Sequence, residues 1–308
     1  MPATRAKVVQ ILNSYETLYD VGKWKYGNID VWPVLKHYLA HLHYQLTNER
    51  DGKNKAPNKF KLLVSSVKGA AFMLSNTVFS QWKYSKVKYL FLSGMSYREY
   101  SESSSFNRYY QIFIDDLDRK QIAYSYIDWD NQHNFPRSDF SVNEVSYIRP
   151  IEKGYPVLKH LYKQKAFNCL GELTSLFDNF IDQSGISFTQ PKLLNKVTRK
   201  LHSIQIHQRY FEAVLKVSKP EAVYQINHYT TASRALSVVC NEMGIPSVDF
   251  QHGGIGNLNL AFSGHTSCPD NGYNTMPKYF WLWDNETKAE LDRFCDALLS
   301  IRQEIGEI

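Results

Sequence analysis

At 308 residues, 43% of them apolar, and with a formal charge of +6, the chain holds enough hydrophobic material for a sizeable core, in one large α/β domain or two smaller ones. Acidic residues interspersed among the basic ones favour an anionic small ligand or anionic lipid headgroups over a nucleic-acid partner. There is no secretory apolar region at the N-terminus, no run approaches the roughly 18 residues of a membrane span, and Cys169, Cys240, Cys268 and Cys295 form no CxxC pair. The expectation is a cytoplasmic protein with reduced thiols, in contact with the inner face of a membrane only peripherally.

Residues 6–47 read as two aromatic-rich helices. The first carries Val9, Leu12, Tyr15 and Tyr19 at helical spacing, and the second carries Val34, Leu35, Tyr38, Leu39 and Leu42. Between them, Asp30 is an N-cap candidate and Pro33 falls in the first turn. Trp24, Tyr26 and Trp32 read as core between these helices. The polar run 48–58 is a loop, and a third helix follows over about 60–80. These helices, residues 1–85, are expected to pack ahead of a main domain spanning 86–308.

Val87–Leu92 is the first strand, residues 106–121 an amphipathic helix, and Ala123–Trp129 the next strand, giving one βαβ unit. The loop after the first strand contains Ser101, Ser103, Ser104 and Ser105 and suits a ligand-facing flap. Glu144–Arg149 is a candidate third strand, and 156–218 is mostly helix. From Pro220 the alternation is regular: strand Ala222–Ile226, helix Ala232–Met243 closed by Gly244, and strand Ser247–Phe250. After an irregular stretch, Lys278–Trp283 is read as the last strand, with Asp284 capping a terminal helix. No internal repeat is visible. This alternation predicts an α/β fold with a Rossmann-like parallel sheet and helices on both faces.

Three strand ends carry polar residues suited to chemistry, and strand ends are where open parallel sheets bind ligands. Gln251-His252-Gly253-Gly254-x-Gly256 follows one strand. Its glycines allow unusual dihedrals and close backbone approach, but the spacing matches no phosphate loop. His252 suits a general base near neutral pH, or it is a histidine that bonds only its own loop. Asn227-His228-Tyr229 follows the neighbouring strand, so His228 and His252 are expected on one rim. No acidic residue or cysteine stands at metal-ligand spacing beside them, and no metal or cofactor is expected. Thr230 or Thr231 is explained as the N-cap of the next helix. Gly94, Ser96 and Arg98 follow the first strand, where Arg98 can pair with an anion or face solvent. His265 lies in the irregular stretch and can close over the same pocket. No GxSxG elbow or cysteine beside a base supports nucleophilic catalysis.

The run Gly244-Ile245-Pro246 followed by Phe250-Gln251-His252-Gly253, and then by Pro277-Lys278-Tyr279-Phe280-Trp281-Leu282-Trp283, resembles bacterial surface-polysaccharide glycosyltransferases of the GT-B type. Asn28-Ile29-Asp30-Val31-Trp32-Pro33 is similar to their N-terminal region. The resemblance implies the N-terminal, acceptor-side half of a GT-B fold. It implies transfer of a sugar from a nucleotide-activated donor, a substrate rather than a cofactor, to a growing glycan. It puts His252 at the cleft as base, with Gln251, Gly253 and Gly254 shaping its loop. It also implies a second Rossmann-like domain for the donor nucleotide. Only one helix is expected after the last strand, so that domain is expected beyond this chain or on a partner. Alternatives are a non-catalytic module binding glycans or nucleotide sugars, and a nucleotide-sugar epimerase relative.

Overall fold

The computed structural model describes residues 3–48, 59–80, 84–94, 97–100, 105–128, 145–147, 149–256, 258–262, 265, 268–294 and 302–305. The polar run 49–58, Ser96, Ser101, Ser103, Ser104 and Cys295 lie outside these residues.

Helix α1 (Arg5–Leu18) starts at Thr4, whose side chain accepts from the Lys7 N–H, and buries Val8, Ile11, Leu12 and Tyr15. A two-residue antiparallel pair, β1 (Lys25–Tyr26) and β2 (Ile29–Asp30), leads into α2 (Trp32–Asn48). Asp30 is not the N-cap expected of it. It lies in β2, where its carboxylate pairs with Lys25 and accepts from the Asn274 backbone N–H at 2.6 Å. Helix α3 (Lys59–Val78) completes the N-terminal group.

The main sheet contains β3 (Tyr89–Ser93), β6 (Tyr124–Asp128), β7 (Val145–Tyr147), β8 (Ala222–Ile226), β9 (Ser247–Phe250), β10 (Tyr279–Leu282) and β11 (Arg302–Ile305). Every pairing is parallel, and the spatial order is β11-β10-β9-β8-β3-β6-β7. Five central strands are extended by the edge strands β7 and β11. The order runs one way from β3 through β6 to β7 and the other way from β8 to β11, as in a doubly wound Rossmann sheet. The reversal falls between β3 and β8. β11 corrects the expectation that the sheet ends at β10. Residues 106–121 are not one helix either: β4 (Arg98–Tyr100) and β5 (Ser105–Asn107) form an antiparallel hairpin, and α4 (Gln111–Arg119) begins after it.

Between β7 and β8 run α5 (Arg149–Leu161), α6 (Leu170–Ser184) and α7 (Gln190–Ser218). Between β8 and β9 lies α8 (Thr231–Met243), capped by Thr230 and closed by Gly244 at φ +68°, a left-handed geometry that costs glycine nothing. Helix α9 (Asn285–Phe294) follows β10, and Asp284 accepts from the Thr287 N–H at 2.6 Å. Alternation along the strands divides the core into two layers. Leu90, Leu92, Ile127, Val223, Phe280 and Leu282 join one large cluster with α1, α2 and α5–α8. Phe91, Tyr124, Tyr126, Ile226 and Phe250 face the other way, against Tyr110, Ile114 and Leu117.

Candidate functional site at the strand-order reversal

In a parallel sheet all strands end on one edge, and where the order reverses the two flanking loops diverge and leave a crevice. Here those loops follow β3 and β8, with the loop after β9 beside them.

His228, just past β8, is completely enclosed. Its backbone N–H donates to Asp249 Oδ1 at 3.0 Å, its Nδ1 meets Asp249 Oδ2 at 3.0 Å, and its Nε2 meets the Ala261 carbonyl at 2.6 Å. Both ring nitrogens face acceptors, the Asp249 carboxylate and the Ala261 carbonyl. Neither nitrogen is open to a substrate. His228 instead fastens three segments: the β8 loop, the inward side of β9 and the loop 258–262.

His252, past β9, is only half-buried. Nδ1 lies 3.4 Å from the Phe250 carbonyl and Nε2 lies 3.2 Å from the Tyr229 hydroxyl. The Tyr109 hydroxyl donates to the His252 carbonyl at 2.8 Å. Tyr97, Tyr229 and Phe262 ring the imidazole, with centroids 5.7, 6.0 and 6.1 Å away. Burial lowers the pKa of His252 below the ordinary histidine value, and the nearby Asp249 charge offsets this only in part. The imidazole is therefore neutral at neutral pH. With Nδ1 donating to Phe250, its Nε2 lone pair accepts from Tyr229. Burial raises the Tyr229 and Tyr97 hydroxyls, so both stay protonated.

Asn227 stands just past β8, at the strand-order reversal. It takes φ +63°, a left-handed conformation that asparagine tolerates better than most residues, and its side-chain amide donates to the Tyr97 hydroxyl. The unusual dihedral therefore sits at Asn227 rather than in the glycine loop. Gly253, Gly254 and Gly256 show no positive φ, and a Cβ on any of them would meet nothing within 4 Å. What these glycines provide is open space along the loop itself. Gln251 is buried and clips the loop down: its Oε1 accepts from the Trp283 N–H at 2.8 Å and its Nε2 donates to the Gly253 carbonyl at 3.2 Å.

Tyr229 is held from behind. The buried Arg234 guanidinium donates to the Pro33 carbonyl at 2.9 Å and to the Tyr229 carbonyl at 3.4 Å, tying the β8 loop to α2. His37 of α2 packs on the Tyr229 ring at 4.9 Å. Burial, with the positive charges of Arg234 and Lys200, presses the His37 pKa down to about 2.

The remaining candidates are placed as follows. Gly94 is buried at the end of β3, and its carbonyl accepts from the Tyr97 N–H at 3.0 Å. The backbone of Arg98 pairs with Asn107 in the β4–β5 hairpin beyond Tyr97. His265 is buried and lies with Nδ1 3.6 Å from Glu16 Oε1, while Glu16 Oε1 accepts from Trp32 and Lys36 at 2.6 Å each. Tyr97, Tyr109, Phe262, Asp249 and Arg234 complete the site without having stood among the sequence candidates. Their only forewarning is the general richness in tyrosine. Among the described residues no group of three or more His, Cys, Asp or Glu side chains is arranged to hold a metal.

No family model matches the chain, and no solved structure matches it. Over 25 residues it is 80% identical to mitochondrial glycine dehydrogenase (decarboxylating) of Flaveria anomala and of Flaveria trinervia, and to form B of that protein in Flaveria pringlei. The shared stretch is 8% of this chain, and the chain spans about 2% of the length of each of these relatives. A match of that extent shows neither family nor activity.

Proposed function

We propose that the crevice at the strand-order reversal binds a sugar substrate and that His252 serves as base in glycosyl transfer from a nucleotide-activated donor to a glycan hydroxyl. The observation that carries this reading is the setting of His252, a neutral, half-buried imidazole within a ring of Tyr97, Tyr229 and Phe262 and followed directly by the glycine loop. Aromatic faces suit the apolar faces of sugar rings, and tyrosine hydroxyls suit sugar hydroxyls. The GT-B resemblance of the Gly244–Gly253 run supports the same assignment.

In this proposal the acceptor hydroxyl reaches His252 through Tyr229. As the acceptor oxygen attacks the anomeric carbon, it gives its proton to the Tyr229 oxygen, and Tyr229 passes its own proton to His252 Nε2. The nucleoside diphosphate leaves with the electron pair of the broken glycosidic bond. Proton transfer of this kind contributes about 10²–10⁴-fold.

The same Tyr229 contact favours a second reading, sugar binding without turnover, because the hydroxyl occupies the one nitrogen that a base must offer. Calorimetry with nucleotide sugars and glycan fragments, followed by mass spectrometry of the mixture, separates the two. A lengthened glycan that disappears with His252→Ala supports transfer. Heat of binding without product supports the binding module. No heat with any sugar overturns both.

A further inference from the structure

Helix α3 distributes its side chains in an order unusual for a helix facing water. Its inner face is largely small. A Cβ on Gly69 would lie 2.1 Å from the Pro150 carbonyl oxygen and 2.6 Å from the Gly154 nitrogen, so α3 and α5 cross almost backbone to backbone. Ser66, Ala70, Met73 and Asn76 complete the buried side. The aliphatic residues lie outside: Leu63, Val67, Leu74 and Val78 are 60, 53, 39 and 68% exposed. With the exposed Ala71 they form a single stripe at i+4 and i+3 steps down the helix, and Leu62, Val64 and Phe79 widen it.

A surface helix in water turns its aliphatic stripe inward. Small residues at the helix contact with aliphatic residues outside are the pattern of helices that pack in lipid. Yet no described helix is long and apolar enough to cross a membrane, and α3 carries Ser65, Lys68 and Asn76. A helix lying in the interfacial layer satisfies both facts.

Charge gives a second, independent indication. From Gly52 to Arg98 the sequence holds eight lysines and one arginine and no acidic residue, against a net charge of +6 for the whole chain. The rest of the protein is thus net acidic, and the positive charge is concentrated in the stretch of sequence that contains α3. Of these lysines, Lys68 and Lys86 stand exposed in the structure. An exposed lysine on the helix that carries the stripe, in a stretch of net positive charge, favours anionic headgroups while the stripe enters the acyl boundary.

We propose that the exposed face of α3 docks on an anionic lipid bilayer. The inference does not depend on the chemistry assigned to His252. The full chain is sedimented with vesicles of phosphatidylcholine alone and of phosphatidylcholine mixed with phosphatidylglycerol. It is expected to pellet with the anionic vesicles, less so as salt rises, and to stay in solution with the neutral ones. Replacing only exposed side chains, L63Q/V67Q/V78Q lowers the partition constant by roughly tenfold or more at an unchanged melting temperature. Lys68→Glu with Lys86→Glu is a second, charge-only variant and weakens binding to the anionic vesicles. Failure of the wild-type chain to pellet overturns the proposal, as does equal pelleting of all variants. A dimer that the triple variant dissolves, without vesicle binding, assigns the face to a second copy and also overturns it.

Discussion

His228 and His252 follow adjacent parallel strands on one edge of the sheet, and their surroundings give them opposite capacities. His228 is sealed, with Asp249 on one ring nitrogen and the Ala261 carbonyl on the other. His252 is only half-buried, loses basicity through burial, and has its Nε2 against the Tyr229 hydroxyl. The sealed histidine builds the rim, and the half-buried one is the residue proposed as base. Two histidines at equivalent strand ends thus show that a residue's type and its place in the topology do not define its role. The number of acceptors around each nitrogen does.

The largest expected effect comes from unsealing His228. Asp249→Ala leaves the His228 N–H and Nδ1 without acceptors in an enclosed site and is expected to cost about 3–5 kcal/mol of stability in urea unfolding. His252→Ala, by contrast, is expected to cost about 1 kcal/mol or less, since its ring is half-exposed. Equal losses would erase the distinction between the two histidines.

Acid sharpens the comparison further. His37, His207, His252 and His265 all have pKa values lowered chiefly by burial. In the unfolded chain they take up protons near pH 6.5, but in the folded protein only at lower pH. Between those values the unfolded state binds more protons, so stability falls as the pH drops, by up to about 1.4 kcal/mol per pH unit for each such histidine. Glu16 acts in a lower window. Burial alone would raise its pKa, but His265 and the Lys36 ammonium beside it hold it well below the carboxylate range. Its contribution is full above about pH 4.3 and fades below that. Urea midpoints should therefore start to fall below about pH 6.5, and a profile flat down to pH 5 would contradict the burial of these neutral histidines. The smallest change in stability is Tyr229→Phe. It keeps the ring against His37 but removes the hydroxyl through which the proposed proton transfer runs, so transfer is expected to fall about as far as in His252→Ala while stability shifts by only about 1 kcal/mol.

Parts of this architecture are legible in the sequence for identifiable reasons. β8 and β9 fall on the residues expected of them because short apolar runs are bounded by Thr230, Gly244 and Pro246, whose cap and turn chemistry is local. β4, β5 and β11 were not legible. Each is three or four residues long, and pairing with another segment, rather than an apolar pattern of its own, makes it a strand. Asp30 misleads as a cap because its partner Asn274 lies 244 residues away. The site divides in the same way. The shared rim of His228 and His252 follows from strand order, whereas Tyr109 reaches the His252 carbonyl across 143 residues. That contact, like the φ of Asn227, depends on tertiary packing that no local spacing encodes.

The most direct test of the central claim is the rate of sugar transfer by His252→Ala compared with wild type, using a nucleotide-sugar donor and a glycan acceptor shown by calorimetry to bind both proteins. The account predicts a loss of about 10²–10⁴-fold in turnover with binding retained. Turnover within about twofold of wild type would contradict the assignment of His252 as the base.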